Sequence, residues 1–199
     1  MAAEPISVPR PLWTVEDLEA FTDDKRREID DGEMFIMASP TLFHQDLILR
    51  FVEFLLSWIA NNGGKIYLSP VDLVISPTRV FIPDLVFYTA EKMARGDVER
   101  DPKRLHVAPD LIIEIISPST GGRDRVLKYR RYAEFGVRHY WLVDPGARTF
   151  QAFKLRGKRW QEEATLADNE TYSPALFPGT TLDLSELFGS SLTATATDE

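Results

Sequence analysis

Two apolar runs, each interrupted by one carboxylate, dominate the hydrophobic pattern of this chain. Residues 80–88 read Val-Phe-Ile-Pro-Asp-Leu-Val-Phe-Tyr, and residues 111–116 read Leu-Ile-Ile-Glu-Ile-Ile. Both runs are rich in β-branched and aromatic residues, so both predict buried strands. They place Asp84 and Glu114 within apolar segments, where a carboxylate is costly unless it is paired, hydrogen-bonded or bound to a metal.

Apolar spacing elsewhere predicts helices. An amphipathic pattern over 42–60, ended by Asn-Asn-Gly-Gly, predicts a helix with its apolar stripe in the core. The stripe consists of Leu47, Phe51, Phe54, Leu55 and Trp58. Thr14 and Asp17 resemble a capping box that opens a helix to about residue 26. A further helix is expected over 124–135, ended by Gly136, and Asp31-Gly32 predicts a tight hairpin.

The remaining pattern predicts strands. They are expected at 65–69, 71–76, 139–144, 149–155 and 159–164, with a short helix and loop within 89–109. Ser117 and Ser119 indicate a turn from strand to helix, since no Gly-x-Ser-x-Gly elbow surrounds either serine. Helices that flank a mixed sheet define the expected fold class as α/β or α+β.

Composition narrows the class of protein. The 199 residues, 44% of them hydrophobic, suit one domain, expected at 13–190 between a flexible lead-in at 1–12 and a disordered tail at 191–199. The absence of Cys excludes disulfides and thiolate sites and suits a reducing cytoplasm. No apolar stretch is long enough for a membrane span, so a cytoplasmic protein without a membrane partner is expected.

Charge is unevenly distributed along the chain. The net charge of −8 counts against loose binding to nucleic acids, and residues 14–33 hold nine acids and three bases. Residues 123–138 hold six bases and two acids, directly after the Glu114 run. A basic surface beside a carboxylate cluster suits a phosphodiester substrate, although a solvated helix face explains any single arginine equally well.

Asp84 and Glu114 would repel each other on neighbouring strands, and Mg²⁺ or Mn²⁺ would turn that conflict into a binding site. Other interpretations stay open at this point. Asp84 follows Pro83 and could bond to a turn, while Glu114 could form a buried ion pair with an arginine. Lys128, the third candidate, could be an ordinary surface lysine.

Several segments together resemble the Uma family of putative restriction endonucleases, a branch of the PD-(D/E)XK nuclease superfamily. These segments are Ile29-Asp-Asp-Gly-Glu33, His44, Ser69-Pro-Val-Asp72, Pro83-Asp84, Glu114-Ile-Ile-Ser-Pro-Ser119, Asp124-Arg-Val-Leu-Lys128, Tyr132-Ala-Glu-Phe-Gly136 and Tyr140-Trp-Leu-Val-Asp-Pro145. The resemblance covers most of the chain in the family's order. It implies a restriction-endonuclease-like core and a metal-dependent endonuclease that acts on DNA.

The resemblance also implies roles for individual residues. Asp84, Glu114 and the backbone carbonyl of Ile115 would bind Mg²⁺ or Mn²⁺. The superfamily places a lysine two residues after the strand acid, where this chain has Ile116, and Lys128 is taken to replace it. The resemblance places two further residues with catalytic roles, Glu33 and His44, near the site, with Asp72 as an ambiguous addition. Enzymes of this fold often pair, so a homodimer or higher homo-oligomer is expected, with an apolar contact from Phe150, Phe153 and Trp160.

Two rival functions remain. The chain could be a non-catalytic module of the same fold that binds nucleic acid or a protein partner, which the missing lysine at position 116 favours. It could also be a structural or regulatory subunit whose acidic stretch binds a basic partner. Zinc is not expected, because the scattered histidines have no partner at zinc-ligand spacing.

Overall fold

The computed structural model describes residues 12–116 and 121–189, with side chains of the second segment from residue 126 onward. The expected disordered tail, nearly all of the lead-in, the turn at Ser117 and Ser119, and the side chains of Arg123 and Arg125 lie outside the described residues. What is described is an α+β fold with two main sheets, which confirms the expected class.

The first sheet has five short strands in the order β2-β1-β5-β4-β7. Their bounds are Arg27–Asp30 (β1), Glu33–Ile36 (β2), Asp72–Ser76 (β4), Arg79–Phe81 (β5) and Arg104–Leu105 (β7). The expected hairpin joins β1 to β2, with Asp31 and Gly32 at positive φ. All four residues of β1 are buried, because this strand lies inside the sheet.

The second sheet has six strands in the order β11-β10-β9-β8-β6-β3. Their bounds are Lys65–Leu68 (β3), Leu85–Tyr88 (β6), Leu111–Ile115 (β8), His139–Asp144 (β9), Thr149–Arg156 (β10) and Arg159–Ala167 (β11). Strands β8 and β9 are parallel, and the helix α3 connects them. A separate small sheet pairs Thr171–Tyr172 (β12) with Leu182–Asp183 (β13).

Helices cover both faces of the second sheet. The described helices are Leu42–Asn62 (α1), Ala90–Met93 (α2), Gly121–Phe135 (α3) and Leu184–Phe188 (α4). One core lies between α1 and the sheet, and Leu47, Phe51 and Leu55 of the predicted stripe are buried in it. The other core lies under α3 and takes in Leu73 and Phe81 of the first sheet. Alternate residues of β8 point to opposite cores, which puts Glu114 on the α3 side.

The run at 80–88 forms two strands rather than the one predicted. Pro83 cannot donate to a sheet ladder, and the chain leaves the first sheet at Phe81 and enters the second at Leu85. Asp84 therefore lies in a link between the two sheets. The acid that the pattern placed within a strand is held at a junction.

The predicted helix over 14–26 was wrong in length. Only a 3₁₀ turn forms, at Glu16–Ala20, although the Asp17 carboxylate accepts hydrogen bonds from the backbone and hydroxyl of Thr14 as a cap would. The backbone is already extended at Phe21, and beyond it Asp23 accepts from the Lys25 backbone N–H and binds Arg27, side-chain contacts that compete with helical bonding. Across the described segments, no helix has the length and apolar character needed to cross a membrane.

Candidate active site

The candidate site lies where the link at Asp84, the strand β8 and two helices meet. Strand β6 pairs antiparallel with β8, with Leu85 opposite Ile113, so Asp84 and Glu114 are adjacent at the end of this pairing. Lys128 and Tyr132 lie one turn apart on α3, and their side chains reach the same strand. His44, in the first turn of α1, approaches from the other side.

Asp84 is held by two groups. Its Oδ1 lies 3.1 Å from His44 Nε2, and its Oδ2 accepts a hydrogen bond of 2.8 Å from the backbone N–H of Ile115. Asp84 and His44 are both buried. The contact with Ile115 fixes the carboxylate against β8, so Asp84 is oriented by the strand that also carries Glu114.

Glu114 is paired with a lysine, not with the arginine considered from the sequence. Lys128 Nζ lies 3.1 and 3.3 Å from the two carboxylate oxygens of Glu114, and the Tyr132 hydroxyl donates to Oε1 at 2.6 Å. Lys128 is only 5% exposed, which excludes its interpretation as a surface lysine. The structure thus brings Asp84, Glu114, Lys128 and His44 into one buried cluster.

Glu28 also belongs to this cluster, and the sequence did not indicate it. It lies on β1, its carboxylate is 2.8 Å from Lys128 Nζ, and its Oε1 accepts a 2.9 Å hydrogen bond from the Ile82 N–H. Lys128 therefore bridges an acid from each main sheet. A four-residue strand buried on both faces shows no alternation of apolar and polar residues, so Glu28 could not be distinguished from the exposed acids around it.

Three carboxylates and one ammonium share the cluster, and this imbalance shifts their pKa values. Burial raises the pKa of Glu114 to about 8; the charge of Lys128 opposes the shift, while Asp84 and Glu28 add to it. Burial alone would lower the pKa of Lys128, but the charges of Glu114 and Glu28 outweigh it and hold that pKa well above its ordinary value. Lys128 is therefore a permanent cation at neutral pH.

The donor set fits a hard divalent cation. Mg²⁺ is commonly held by one or two carboxylates together with water and substrate oxygens, and Asp84 and Glu114 supply two adjacent carboxylates in a cluster with surplus negative charge. Each carboxylate keeps free lone pairs beside its present hydrogen bonds. Among the side chains of residues 12–116 and 126–189, however, no three of His, Cys, Asp or Glu are arranged as a ready-made metal centre.

Two of the candidate residues lie outside the buried cluster. Glu33 is on the outer strand β2, is exposed, and lies opposite Asp30 in the hairpin register. Asp72, on β4, is 3.4 Å from Arg104 Nε, and burial raises its pKa.

A second cluster fastens α3 beside the site. The Arg131 guanidinium binds both oxygens of the buried Asp30 at 2.7 and 3.1 Å, and it also contacts Asp31 and Glu134. Arg131 is thus committed to the β1–β2 hairpin. Lys128 is one turn away on the same helix. The contacts of Arg131 therefore fix the position of Lys128 relative to the β1–β2 hairpin.

Comparison with known proteins agrees with this architecture. A crystal structure of a putative nuclease belonging to DUF820 from Anabaena variabilis ATCC 29413 shares the fold with a TM-score of 0.70 and 17% identity, over 88% of this chain and 97% of that chain. No curated protein matches. The model of the Uma2 family, described as "Putative restriction endonuclease", matches residues 14–185, and this chain belongs to that family.

Proposed function

We propose that this protein is a Mg²⁺-dependent endonuclease that hydrolyses DNA phosphodiester bonds at the buried cluster. The observation that carries the proposal is the position of Lys128, whose ammonium lies between Glu114 and Glu28 and next to the carboxylate pair of Asp84 and Glu114. A buried cation beside two acids on adjoining backbone segments suits hydrolysis of a phosphodiester, in which negative charge develops on the phosphate oxygens. Membership of a family described as restriction endonucleases supports the same class.

In the proposed mechanism Asp84 and Glu114 hold the metal, and the carbonyl of Ile115 is the proposed third protein ligand. Bound Mg²⁺ would lower the pKa of a water molecule and stabilise negative charge on the phosphate. The N–H of Ile115 and the His44 ring keep the Asp84 carboxylate in place. His44 is therefore a positioning residue in this proposal.

Lys128 supplies charge rather than a proton. Because its pKa is raised, it stays protonated and acts as a fixed donor to the attacking water or to the oxygens of the phosphate as negative charge develops there. Tyr132 donates to Glu114 and Glu28 contacts Lys128, so these two residues hold the Lys128–Glu114 ion pair in place. The lysine absent from position 116 is replaced, on this view, by a lysine that reaches Glu114 from α3.

The non-catalytic alternative keeps one observation in its favour. Ile116 packs into the apolar core under α3, on the face of β8 that carries Glu114, so the position where the superfamily has its lysine is apolar here. A module of this kind would bind nucleic acid without cutting it. Metal uptake separates the two functions, since only cleavage requires the carboxylates to bind Mg²⁺.

The test is a calorimetric titration with Mn²⁺ together with a DNA cleavage assay. Wild-type protein should bind Mn²⁺ with micromolar-to-millimolar affinity, as expected for a few oxygen ligands with retained waters. Asp84→Asn and Glu114→Gln should each weaken binding at least about tenfold and abolish cleavage, and Glu53→Gln, an exposed acid on α1, should change neither. Equal metal uptake by all four proteins would show that the site is assigned wrongly.

A further inference from the structure

The tip of the β10–β11 hairpin concentrates positive charge, and among the described residues only its Lys154 has an acidic partner, Glu163. Strands β10 and β11 are joined at Gly157-Lys158, and the run Lys-Leu-Arg-Gly-Lys-Arg over 154–159 holds four cations and no acid in a chain of net charge −8. Arg156, Gly157, Lys158 and Arg159 are all exposed. The tip is thus a local basic surface on an acidic protein.

Its cations are unpaired, unlike most others in the fold. None of Arg156, Lys158 and Arg159 forms an ion pair with a residue that the structure describes; Arg156 Nε makes only a 3.3 Å contact with the side-chain oxygen of Gln161. By contrast, arginines elsewhere are matched with acids, as in the pairs Arg104–Asp72 and Arg148–Asp168.

The hairpin register adds a repulsion. Arg156 lies directly opposite Arg159 across the two strands, and like charges in this relation destabilise a sheet. No described acid lies close enough to either guanidinium to neutralise it. A local conflict of this kind, without internal compensation, is expected where a surface is built to meet an external anion.

The stem of the hairpin holds these charges in a fixed place. Trp160 donates its indole N–H to the Tyr129 carbonyl of α3 at 2.7 Å, and the Tyr129 and Phe153 rings pack edge to face with centroids 5.2 Å apart. Strand β9 begins at His139, opposite Lys154. Between this point and the tip, the described contact with the β9 side is a hydrogen bond from the Leu155 N–H to the Arg138 carbonyl. The tip therefore projects past the sheet on a braced two-stranded ribbon.

The distance from the candidate site suits a nucleic acid. Gln151 is in line with Glu114 across β9, through Leu142. From Gln151 to Gly157 a strand rises about 20 Å, at about 3.4 Å per residue. This offset along the strand equals the length of about six base pairs of B-form DNA, at about 3.4 Å per base pair.

We infer that the β10–β11 tip is a contact for the phosphate backbone of double-stranded DNA, formed by Arg156, Lys158 and Arg159. The inference rests on the proposed function for the choice of DNA. Guanidinium and ammonium groups position a duplex through its phosphates without reading its sequence. A two-stranded ribbon is also narrow enough to enter the major groove.

The test measures binding of a fluorescein-labelled duplex by anisotropy, in EDTA, over a series of salt concentrations. The variant carries Arg156→Gln, Lys158→Gln and Arg159→Gln together. Its slope of log K against log salt should be shallower than that of wild type by about 3, at roughly 0.9 for each phosphate that the protein no longer neutralises. Its melting temperature should be equal to or above that of wild type, because a repulsion is removed.

A matched control separates local contact from net charge. Lys25→Gln, Arg100→Gln and Lys103→Gln remove the same charge from exposed positions away from the hairpin and should leave the slope within about 1 of wild type. Equal slopes of log K against log salt for the two triple variants would overturn the inference. So would binding of wild-type protein to anionic lipid vesicles but not to the duplex.

The two proposals fail in different ways. Binding in EDTA does not require cleavage, so Asp84→Asn should keep the full salt slope even though it cuts no DNA. If wild-type protein cuts nothing but the ribbon variant still has the shallower slope, the proposed function is wrong and the DNA contact stands. If cleavage is normal and the slope is unchanged in the ribbon variant, the contact is wrong and the function stands.

Discussion

At the scale of single residues, Lys128 is held by acids from both main sheets. Its ammonium is buried and lies within 3.3 Å of Glu28 and of both oxygens of Glu114. Two acids raise its pKa, so the residue cannot serve as a base near neutral pH. Its contribution to turnover should therefore depend on charge and position rather than on proton transfer.

We expect Lys128→Ala to retain Mn²⁺ binding and to lose about 10²-fold or more in the rate of DNA cleavage, the scale for removal of one preorganised charge-stabilising group. Lys128→Arg should recover only part of the rate, because a planar guanidinium does not match the compact ammonium. Single-turnover cleavage measures the rates, and calorimetry measures the metal.

Thermal melting of each Lys128 variant controls for loss of the fold, since removing one partner of a buried pair is costly. Ile116→Lys in the Lys128→Ala background tests whether the usual lysine position can be restored. Unchanged cleavage by a folded Lys128→Ala protein would end the role assigned to Lys128.

Glu28 and Glu33 give a second comparison at this scale. Because Glu28 contacts Lys128 and Glu33 lies outside the buried cluster, Glu28→Gln should lower kcat for cleavage by about tenfold or more with little change in KM, whereas Glu33→Gln should act less. Steady-state kinetics at saturating Mg²⁺ show which substitution lowers kcat more. A larger effect of Glu33→Gln would favour Glu33 over Glu28 as the residue that supports catalysis.

At the scale of elements, a buried ion-pair cluster joins α2 to the start of β8, at the opposite end of the strand from the site. Asp110 Oδ2 accepts from the backbone and hydroxyl of Thr89, both at 2.9 Å. Its Oδ1 lies 3.0 Å from Lys92 Nζ and 3.1 Å from Arg138 Nη1, as ion pairs rather than well-aligned hydrogen bonds. The cluster therefore holds the beginning of β8 in place, and Glu114 lies near the other end of this strand.

The stability that Asp110 contributes should vanish in acid. Burial alone would raise its pKa, but the hydrogen bonds from Thr89 and the charge of Lys92 outweigh burial and lower that pKa. A carboxyl with a lowered pKa stabilises the fold above its unfolded value of about 3.9 and loses this contribution as the pH falls through its folded value. Burial also lowers the pKa of Lys92, and its pairing with Asp110 opposes that shift.

Accordingly, Asp110→Asn should lower the free energy of unfolding by about 3 kcal/mol at pH 6, the scale for leaving one buried partner unpaired. The difference from wild type should shrink as the pH falls below about 4. Urea unfolding at several pH values measures it, with Asp24→Asn as an exposed-acid control. A difference that is constant with pH would exclude the carboxylate as its source.

The elements also show what the sequence could and could not predict. The helix α1 was predicted almost to the residue, because a long amphipathic stripe ends in an unambiguous glycine pair. The run at 80–88 was misread as one strand, since an apolar pattern records burial and not which sheet a strand joins. Asp84 and Glu114 were singled out as acids in apolar runs and Lys128 through the family resemblance, whereas Glu28 became visible only from a contact between residues distant in sequence.

At the scale of the whole molecule, two of the three rings expected to form an apolar contact between subunits are buried within the chain. Phe150 is fully buried and Phe153 nearly so, each in a core of its own chain, and the Trp160 indole is bonded to Tyr129. These rings stabilise the second sheet from within. The two phenylalanines are therefore not available to a partner subunit, whereas Trp160 is half-buried.

A homodimer or higher homo-oligomer stays a prediction, now without that contact, and two-fold dimers are the commonest assembly of soluble proteins. Light scattering at micromolar protein, with and without a DNA duplex and Ca²⁺, measures the mass. We expect twice the chain mass of 22.7 kDa in at least one of these conditions. A monomer mass in all of them would remove the prediction.

Two backbone amides make the site observable without any substrate. The Ile82 N–H donates to Glu28, and the Ile115 N–H donates to Asp84, so each amide proton senses the charge on one carboxylate. In a proton–nitrogen spectrum these two resonances should move together when the cluster changes its proton or cation content. The fold thus carries its own pair of spectroscopic reporters, one in the link between the two sheets and one in β8, through which occupancy of the cluster can be followed in the intact protein.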